Sequence, residues 1–403
     1  RKITVIHQYK SNGYNIVLDV NSGAVHVVDD VTYDVIELFE KLDAEAIISE
    51  LSSKYKEEEI REVIDEVEQL KKDGETFGYN YLNNYIKIAV NIIKEFEISD
   101  IDNDTFTEDI YQPFVEKFKE TRQTVVKALC LHIAHDCNLA CKYCFAEEGE
   151  YHGRRELMSF EVGKKALDFL VANSGNRVNL EVDFFGGEPL MNWDVVKQLV
   201  EYGRSLEEPN NKKFRFTLTT NGVLLNDEIM EYLNKEMSNV VLSLDGRKEV
   251  NDRMRVKVDG TGCYDRIVKN YKKLVEKRGD KEYYVRGTYT NYNLDFSEDV
   301  MHLYKQGFDQ VSVEPVMEDE SVEYAITEKD LDKIYEEYDK LVDKIANIKK
   351  NGGFINFFHF MIDLDQGPCV IKRLRGCGSG NEYVAITPDG DIYPCHQFVG
   401  HEE

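Results

Sequence analysis

The chain has 403 residues, too many for one small domain and enough to bury a sizeable core, so two or three units are expected. Its 50 Lys+Arg against 76 Asp+Glu give a net charge of -26, which repels a phosphate backbone and argues against nucleic acid as a partner. No run of about 18 apolar residues exists and the start RKITVIHQYK has no apolar signal core, so the expectation is a soluble cytoplasmic protein with no membrane partner, whose eight cysteines are thiols for metal or catalysis and not disulfides.

Residues 1–78 read as one unit. HQYK, YNIVLDV and AVHVVDD alternate like short strands, separated by the hairpin signals Asn12-Gly13 and Asn21-Ser22-Gly23. Helical patterns follow over 33–42 and 44–55, then at Ile60, Val63, Ile64, Val67 and Leu70, with Gly74 as the stop. A strand ribbon with three small helices is a winged-helix-like pattern. Residues 79–123 are acidic and irregular and read as a connector.

From 124 the pattern alternates strand and helix. TVVKALCLHIA, LEVDFF, FRFTLTT, NVVLSL, YYVRGTYT and QVSVEPVM are candidate buried strands, with intervals long enough for helices. Six βα units over 124–318 predict an α/β fold, a partial (β/α)6 TIM-like barrel, followed by a helical connector over 319–360 and a cysteine-rich end over 361–403. The unusual residues fall after the strands. Cysteines follow the first, Gly186-Gly187-Glu188-Pro189 the second, Thr220-Asn221-Gly222 the third and Ser243-Leu244-Asp245-Gly246 the fourth. Barrels of this kind build active sites at that end.

Cys137, Cys141 and Cys144 in HDCNLACKYC stand in a C-x3-C-x2-C spacing. A structural zinc needs four closed ligands, and His135 could complete a Cys3His set. An iron-sulfur cube held by three thiolates differs in leaving one iron open to a substrate or cofactor. His132, His135 and His152 otherwise read as ordinary polar residues, and Cys130 and Cys263 as small packed ones.

This spacing, with the aromatic Tyr143 before the last cysteine, resembles the radical S-adenosylmethionine (SAM) enzymes. The resemblance implies a 4Fe-4S cluster on Cys137, Cys141 and Cys144 whose open iron chelates the amine and carboxylate of SAM. In that family the cofactor yields a 5'-deoxyadenosyl radical, drawing its electron from an external donor of flavodoxin or ferredoxin type. Tyr143, Gly186, Gly187, Glu188, Ser243 and Asp245 are then cofactor-binding candidates. The glycines would let backbone approach a ligand, Glu188 would face an ammonium, and Ser243 and Asp245 would face ribose or a carboxylate. Either Arg255 or Arg266 could pair with the methionine carboxylate.

Cys369, Cys377 and Cys395, the last in YVAITPDGDIYPC, resemble the start of the SPASM extension of radical enzymes that modify peptides and proteins. That implies at least one auxiliary 4Fe-4S cluster; the family's later cysteines do not occur before Glu403. The head resembles the leader-recognition domain of peptide-maturation enzymes, which takes a precursor's leader as an added strand, here along 7–10 or 24–29. Head, barrel and tail together are most similar to maturases of the cysteine-rich SCIFF peptides. The implied activity is a thioether bond from a cysteine sulfur to a carbon in a ribosomally made precursor. Sulfatase-type maturation, epimerisation and a non-catalytic zinc protein are the other readings.

Overall fold

A computed structural model describes residues 6–11, 14–19, 25–39, 41–72, 125–361 and 377–400. Asn12-Gly13, Asn21-Ser22-Gly23, Gly74, the connector 79–123 and Cys369 lie outside the described residues. These residues fall into two compact units, 6–72 with Cys377 and 125–361 with 378–400.

In the first unit, β1 (Ile6–Ser11), β2 (Tyr14–Asp19) and β3 (Val25–Val28) form an antiparallel sheet in chain order. Ser11 pairs with Tyr14, so β1 and β2 are separated by only two residues. Of the stretches expected to receive a leader, 7–10 lies in β1 and 25–28 is β3, the two outer strands, and Val27 on β3 is exposed. Three helices follow, α1 (Asp30–Phe39), α2 (Ala44–Leu51) and α3 (Glu57–Lys72). Helix α1 starts three residues before the expected Tyr33, after Asp29, whose carboxylate accepts the Thr32 N–H at 2.9 Å. Asp43 caps α2 in the same way through Ala46. Val35, Ile47, Ile48, Leu51, Ile60, Val63 and Ile64 bury one face of each helix in a shared core.

The second unit is built on β4 (Ala128–His135), β6 (Asn179–Gly186), β7 (Lys213–Thr220), β8 (Asn239–Ser243), β9 (Tyr283–Tyr289) and β10 (Gln310–Pro315). They are all parallel and neighbour one another in chain order, the partial barrel expected of six βα units. A short β5 (Glu156–Leu157) pairs antiparallel with β4. The helices are α4 (Phe160–Asn173), α5 (Trp193–Asn210), α6 (Asp227–Glu236), α7 (Lys248–Met254), α8 (Tyr264–Arg278), α9 (Phe296–Lys305) and α10 (Leu331–Lys350). Alternate strand residues such as Leu131, Phe184, Leu218, Leu242, Val285 and Val313 share one buried core with helix residues such as Leu167, Leu199 and Leu233.

Three further strands extend this sheet. β11 (Asn356–Phe357) lies parallel to β10, β12 (Tyr383–Ile386) parallel to β4, and β13 (Ile392–Tyr393) antiparallel to β12. Helix α10 falls in the stretch read as a connector, yet it packs Ile334, Leu341 and Ile345 into the barrel core. Among the described residues no helix is long and apolar enough to cross a membrane.

Candidate active site

The cysteine loop leaves the C-terminal end of β4 and is anchored from three directions. On the β6 side, the Gly187 N–H donates to the Ala134 carbonyl at 2.7 Å and the Glu188 N–H to the Asp136 carbonyl at 2.9 Å. On the far side, Ala140 donates to the Val256 carbonyl at 2.8 Å and Lys142 to that of Met254 at 2.9 Å, in the stretch that ends α7. The Tyr324 hydroxyl donates to the Lys142 carbonyl at 2.8 Å.

The close approach that Gly186 and Gly187 permit is that of this loop's own backbone. A Cβ on Gly187 would stand 2.1 Å from the Asp136 carbonyl oxygen; on Gly186, which has φ +120°, it would stand 2.4 Å from that of Ala134. Besides any room the glycines leave for a ligand, this is a contact they make within the chain itself. They let two strand ends close on each other, which fixes where the cysteines sit.

All three site cysteines are half-buried. The Asn221 amide, 3.6 Å from Cys137 Sγ, also donates to Asn138 Oδ1 at 2.8 Å, tying the third strand end to the cysteine loop. Burial, with the Glu188 carboxylate nearby, pushes the Cys137 thiol up to about 12. Burial pushes Cys141 up to about 11 against the opposing pull of Arg255. Such thiols stay protonated at neutral pH until a metal displaces the proton. Among the described residues no three His, Cys, Asp or Glu side chains are drawn around a single ion. An iron-sulfur cube gives each thiolate its own iron and spans a wider triangle.

Glu188 is 1 % exposed. Its Oε1 accepts from the Leu190 N–H and the Thr220 hydroxyl, at 3.1 and 2.8 Å, and its Oε2 from the Asn221 N–H at 2.7 Å. Burial nevertheless raises its carboxyl to about 7. With three of about four acceptor sites used, a cation brought to this carboxylate would supply the missing compensation.

Asp245, fully buried after β8, faces Tyr143 from the middle of the cysteine motif. The Tyr143 hydroxyl lies 2.7 and 2.6 Å from the two carboxylate oxygens and donates to them, while the Thr288 N–H donates to Oδ1 at 3.1 Å. Arg255 Nη1 donates to the Tyr143 hydroxyl at 3.0 Å and lies 3.9 Å from Asp245. Burial raises Asp245 to about 6, opposed by Arg255 and these hydrogen bonds. Arg255 Nε is buried without a hydrogen-bond partner among the described residues, a donor left for an incoming anion. Arg266 instead sits exposed on α8, so the structure puts Arg255 at the site and Arg266 outside it. Ser243 is half-buried beside Asp245, and its carbonyl lies 3.1 Å from the Tyr271 hydroxyl.

His132 and His135 are both buried, with Nδ1 of the first 3.0 Å from Nε2 of the second. One of the two His135 ring nitrogens is thus engaged by its neighbour. Cys130 is packed among Ala146, Tyr151, Ala385 and Val399. Of the cysteines read as auxiliary ligands, Cys377 is exposed in the first unit. Cys395 is half-buried in the second, its Sγ 3.6 Å from His396 Nδ1. In the sequence Asn221 stands out only as part of the loop Thr220-Asn221-Gly222. Its partner Asn138 is 83 residues away, a pairing that only the fold reveals.

Residues 131–306 match the family model of the radical SAM superfamily. The chain carries a radical SAM domain. Enzymes with this domain use a 4Fe-4S cluster and S-adenosylmethionine. The radical SAM cyclopropyl synthase TigE of Paramaledivibacter caminithermalis is 24% identical over 79% of this chain and 72% of its own length. The cysteine-type anaerobic sulfatase-maturating enzyme of Clostridium novyi is 29% identical over 66% and 71%. Among solved structures, anSMEcpe with bound AdoMet superposes with a TM-score of 0.58 at 21% identity, over 68% of this chain and 76% of that one. Streptococcus suis SuiB bound to precursor peptide SuiA gives 0.52 at 17% identity, over 100% and 85%. The two solved structures share the fold of this chain over the lengths covered.

Proposed function

We propose that this chain is a peptide maturase that installs thioether cross-links, cysteine sulfur to carbon, in a ribosomally made cysteine-rich precursor of the SCIFF type. The observation that carries the reading is the cysteine loop clamped against Glu188, Asp245 and Arg255 at the C-terminal ends of the barrel strands. Cys137, Cys141 and Cys144 are the ligands of the 4Fe-4S cluster. Glu188 receives the ammonium of SAM, Arg255 its carboxylate, and Ser243 and Asp245 its ribose. When bound, the cluster and SAM supply hydrogen-atom abstraction through a 5'-deoxyadenosyl radical, fed by an external donor of flavodoxin or ferredoxin type. Tyr143 holds Asp245 in place from within the cysteine motif. Cys369, Cys377 and Cys395 carry the auxiliary-cluster part of the reading on their sequence spacing alone. The three-stranded sheet at residues 6–28 would receive the leader as an added strand.

SuiB was crystallised with a precursor peptide, which supports a peptide substrate. The sulfatase-maturating relatives favour a second reading, sulfatase-type maturation of a folded protein. The two differ in mass balance. The full chain, reconstituted with iron and sulfide without oxygen, would be incubated with SAM, a reductant and synthetic cysteine-rich peptides, including any encoded beside its gene. Thioether formation removes two hydrogens per bond and leaves a cysteine that no longer alkylates. Loss of sulfur from a cysteine would establish the second reading, and no mass change would overturn both.

A further inference from the structure

The barrel's inner face carries a pair of opposite charges that the cofactor site does not use. On β9, Val285 and Tyr289 face the core while Arg286 is exposed on the other side; on β10, Val311 and Val313 face the core and Glu314 lies opposite. Arg286 pairs laterally with Ser243 on one side and with Ser312 on the other, and Glu314 pairs with Thr288, so the two charged residues are diagonal neighbours. Both adjoin the cofactor end, since Ser243 precedes Asp245 by two residues and the Thr288 N–H is bonded to Asp245.

Opposite charges side by side on a sheet ordinarily pair. Here Glu314 is held by other groups. His359 Nε2 donates to its Oε2 at 2.6 Å, and the Ser312 hydroxyl to its Oε1 at 2.5 Å. The Tyr338 hydroxyl, 2.8 Å from His359 Nδ1, steadies the imidazole in turn. The His359 hydrogen bond, aided by Ser312 and by the charge of Arg286, holds Glu314 below the usual carboxylate range. It therefore stays ionised with an unused lone pair on each oxygen. The Arg286 guanidinium makes no hydrogen bond or ion pair to the described residues, and its charge also reaches His396, beside Cys395, which burial first and Arg286 second hold at about 4.

We propose that Arg286 and Glu314 clamp the backbone of the substrate peptide, the guanidinium donating to the carbonyl and the carboxylate accepting from the N–H of one extended residue. This inference rests on the peptide-maturase reading above. In an extended chain, the N–H and C=O of one residue point to the same side and make a closely spaced pair of bonds. A fixed donor beside a fixed acceptor matches that pair. An anionic ligand fits poorly, because Glu314 would repel it. A clamp on backbone ignores side chains, so successive segments of a cysteine-rich core could occupy it in turn beside the radical source.

The test uses the reconstituted full chain and the precursor that the wild type modifies, synthesised with one backbone amide N-methylated at a time around the modified residue. In the wild type, one methylated position is expected to raise KM on the order of 10- to 100-fold, the loss of a charge-assisted hydrogen bond. Glu314→Gln should raise KM for the unmethylated peptide, and methylation at that position should then cost little more. Arg286→Gln, at an exposed residue whose replacement leaves the core intact, should also raise KM, with Arg286→Lys between it and the wild type. If no single methylation raises KM, or if the methylation and Glu314→Gln penalties multiply, the clamp is wrong while the maturase reading stands. A wild type that modifies no peptide overturns both.

Discussion

At the scale of single residues, the site depends on close backbone contact and on carboxyls buried beyond their comfort. A methyl group at Gly187 would fall 2.1 Å from the Asp136 carbonyl, so one chain must move. Gly187→Ala should cost about 1–3 kcal/mol of stability and lower iron uptake on reconstitution; full iron content at unchanged stability would contradict the clamped loop. Glu188 gives a signed pH effect. Its folded value of about 7 stands above its ordinary 4.5, so the fold binds this proton more tightly than the unfolded chain does. Its stabilisation is complete below the unfolded value and lost as pH rises through the folded one. Relative to Glu188→Gln, the metal-free wild type should lose up to about 3 kcal/mol between roughly pH 4.5 and 7. Comparing the two isolates Glu188 from the buried histidines, whose lowered values act in the opposite direction. Denaturant titrations across that window check it, and a difference independent of pH would show that Glu188 does not titrate there.

At the scale of elements, the six parallel strands were legible because each is a short apolar run with β-branched residues between helical intervals. The cysteine, Gly-Gly-Glu-Pro, Thr-Asn-Gly and Leu-Asp-Gly stretches all lie where those runs end. Four things were not legible. Helix α1 starts early because Asp29 supplies a cap, whereas apolar periodicity reports only the buried stripe. The roles of Gly186 and Gly187 depend on Ala134 and Asp136, some fifty residues earlier in the chain, and the choice of Arg255 over Arg266 depends on burial. The strand pattern of YVAITPDGDIYPC was readable, but not its place: β12 joins β4 in parallel across more than two hundred residues, placing Cys395 in the barrel's unit. If Cys395 belongs to a separate auxiliary cluster, Cys395→Ala should lower iron content without emptying the first cluster. SAM cleavage would persist while cross-linked peptide is lost, and full cross-linking by this variant would make the tail structural.

At the scale of the whole molecule, the head and the barrel are separate compact units, which suits a division between holding a leader and modifying a core. Removing residues 1–78 should leave a barrel that binds iron and cleaves SAM slowly but modifies the full precursor poorly, because tethering supplies the core at an effective concentration on the order of mM. Raising the free peptide should partly restore modification. Leader affinity unchanged by the truncation, measured by fluorescence anisotropy, would remove the recognition role from the head. The central claim is that Cys137, Cys141 and Cys144 hold the cluster that cleaves SAM, and the most direct measurement is the chromatographic yield of 5'-deoxyadenosine from anaerobically reconstituted protein supplied with SAM and reductant. The wild type should form it, and the chain with all three cysteines replaced by Ala should form none while still binding the leader. Undiminished 5'-deoxyadenosine from the triple variant would contradict the assignment.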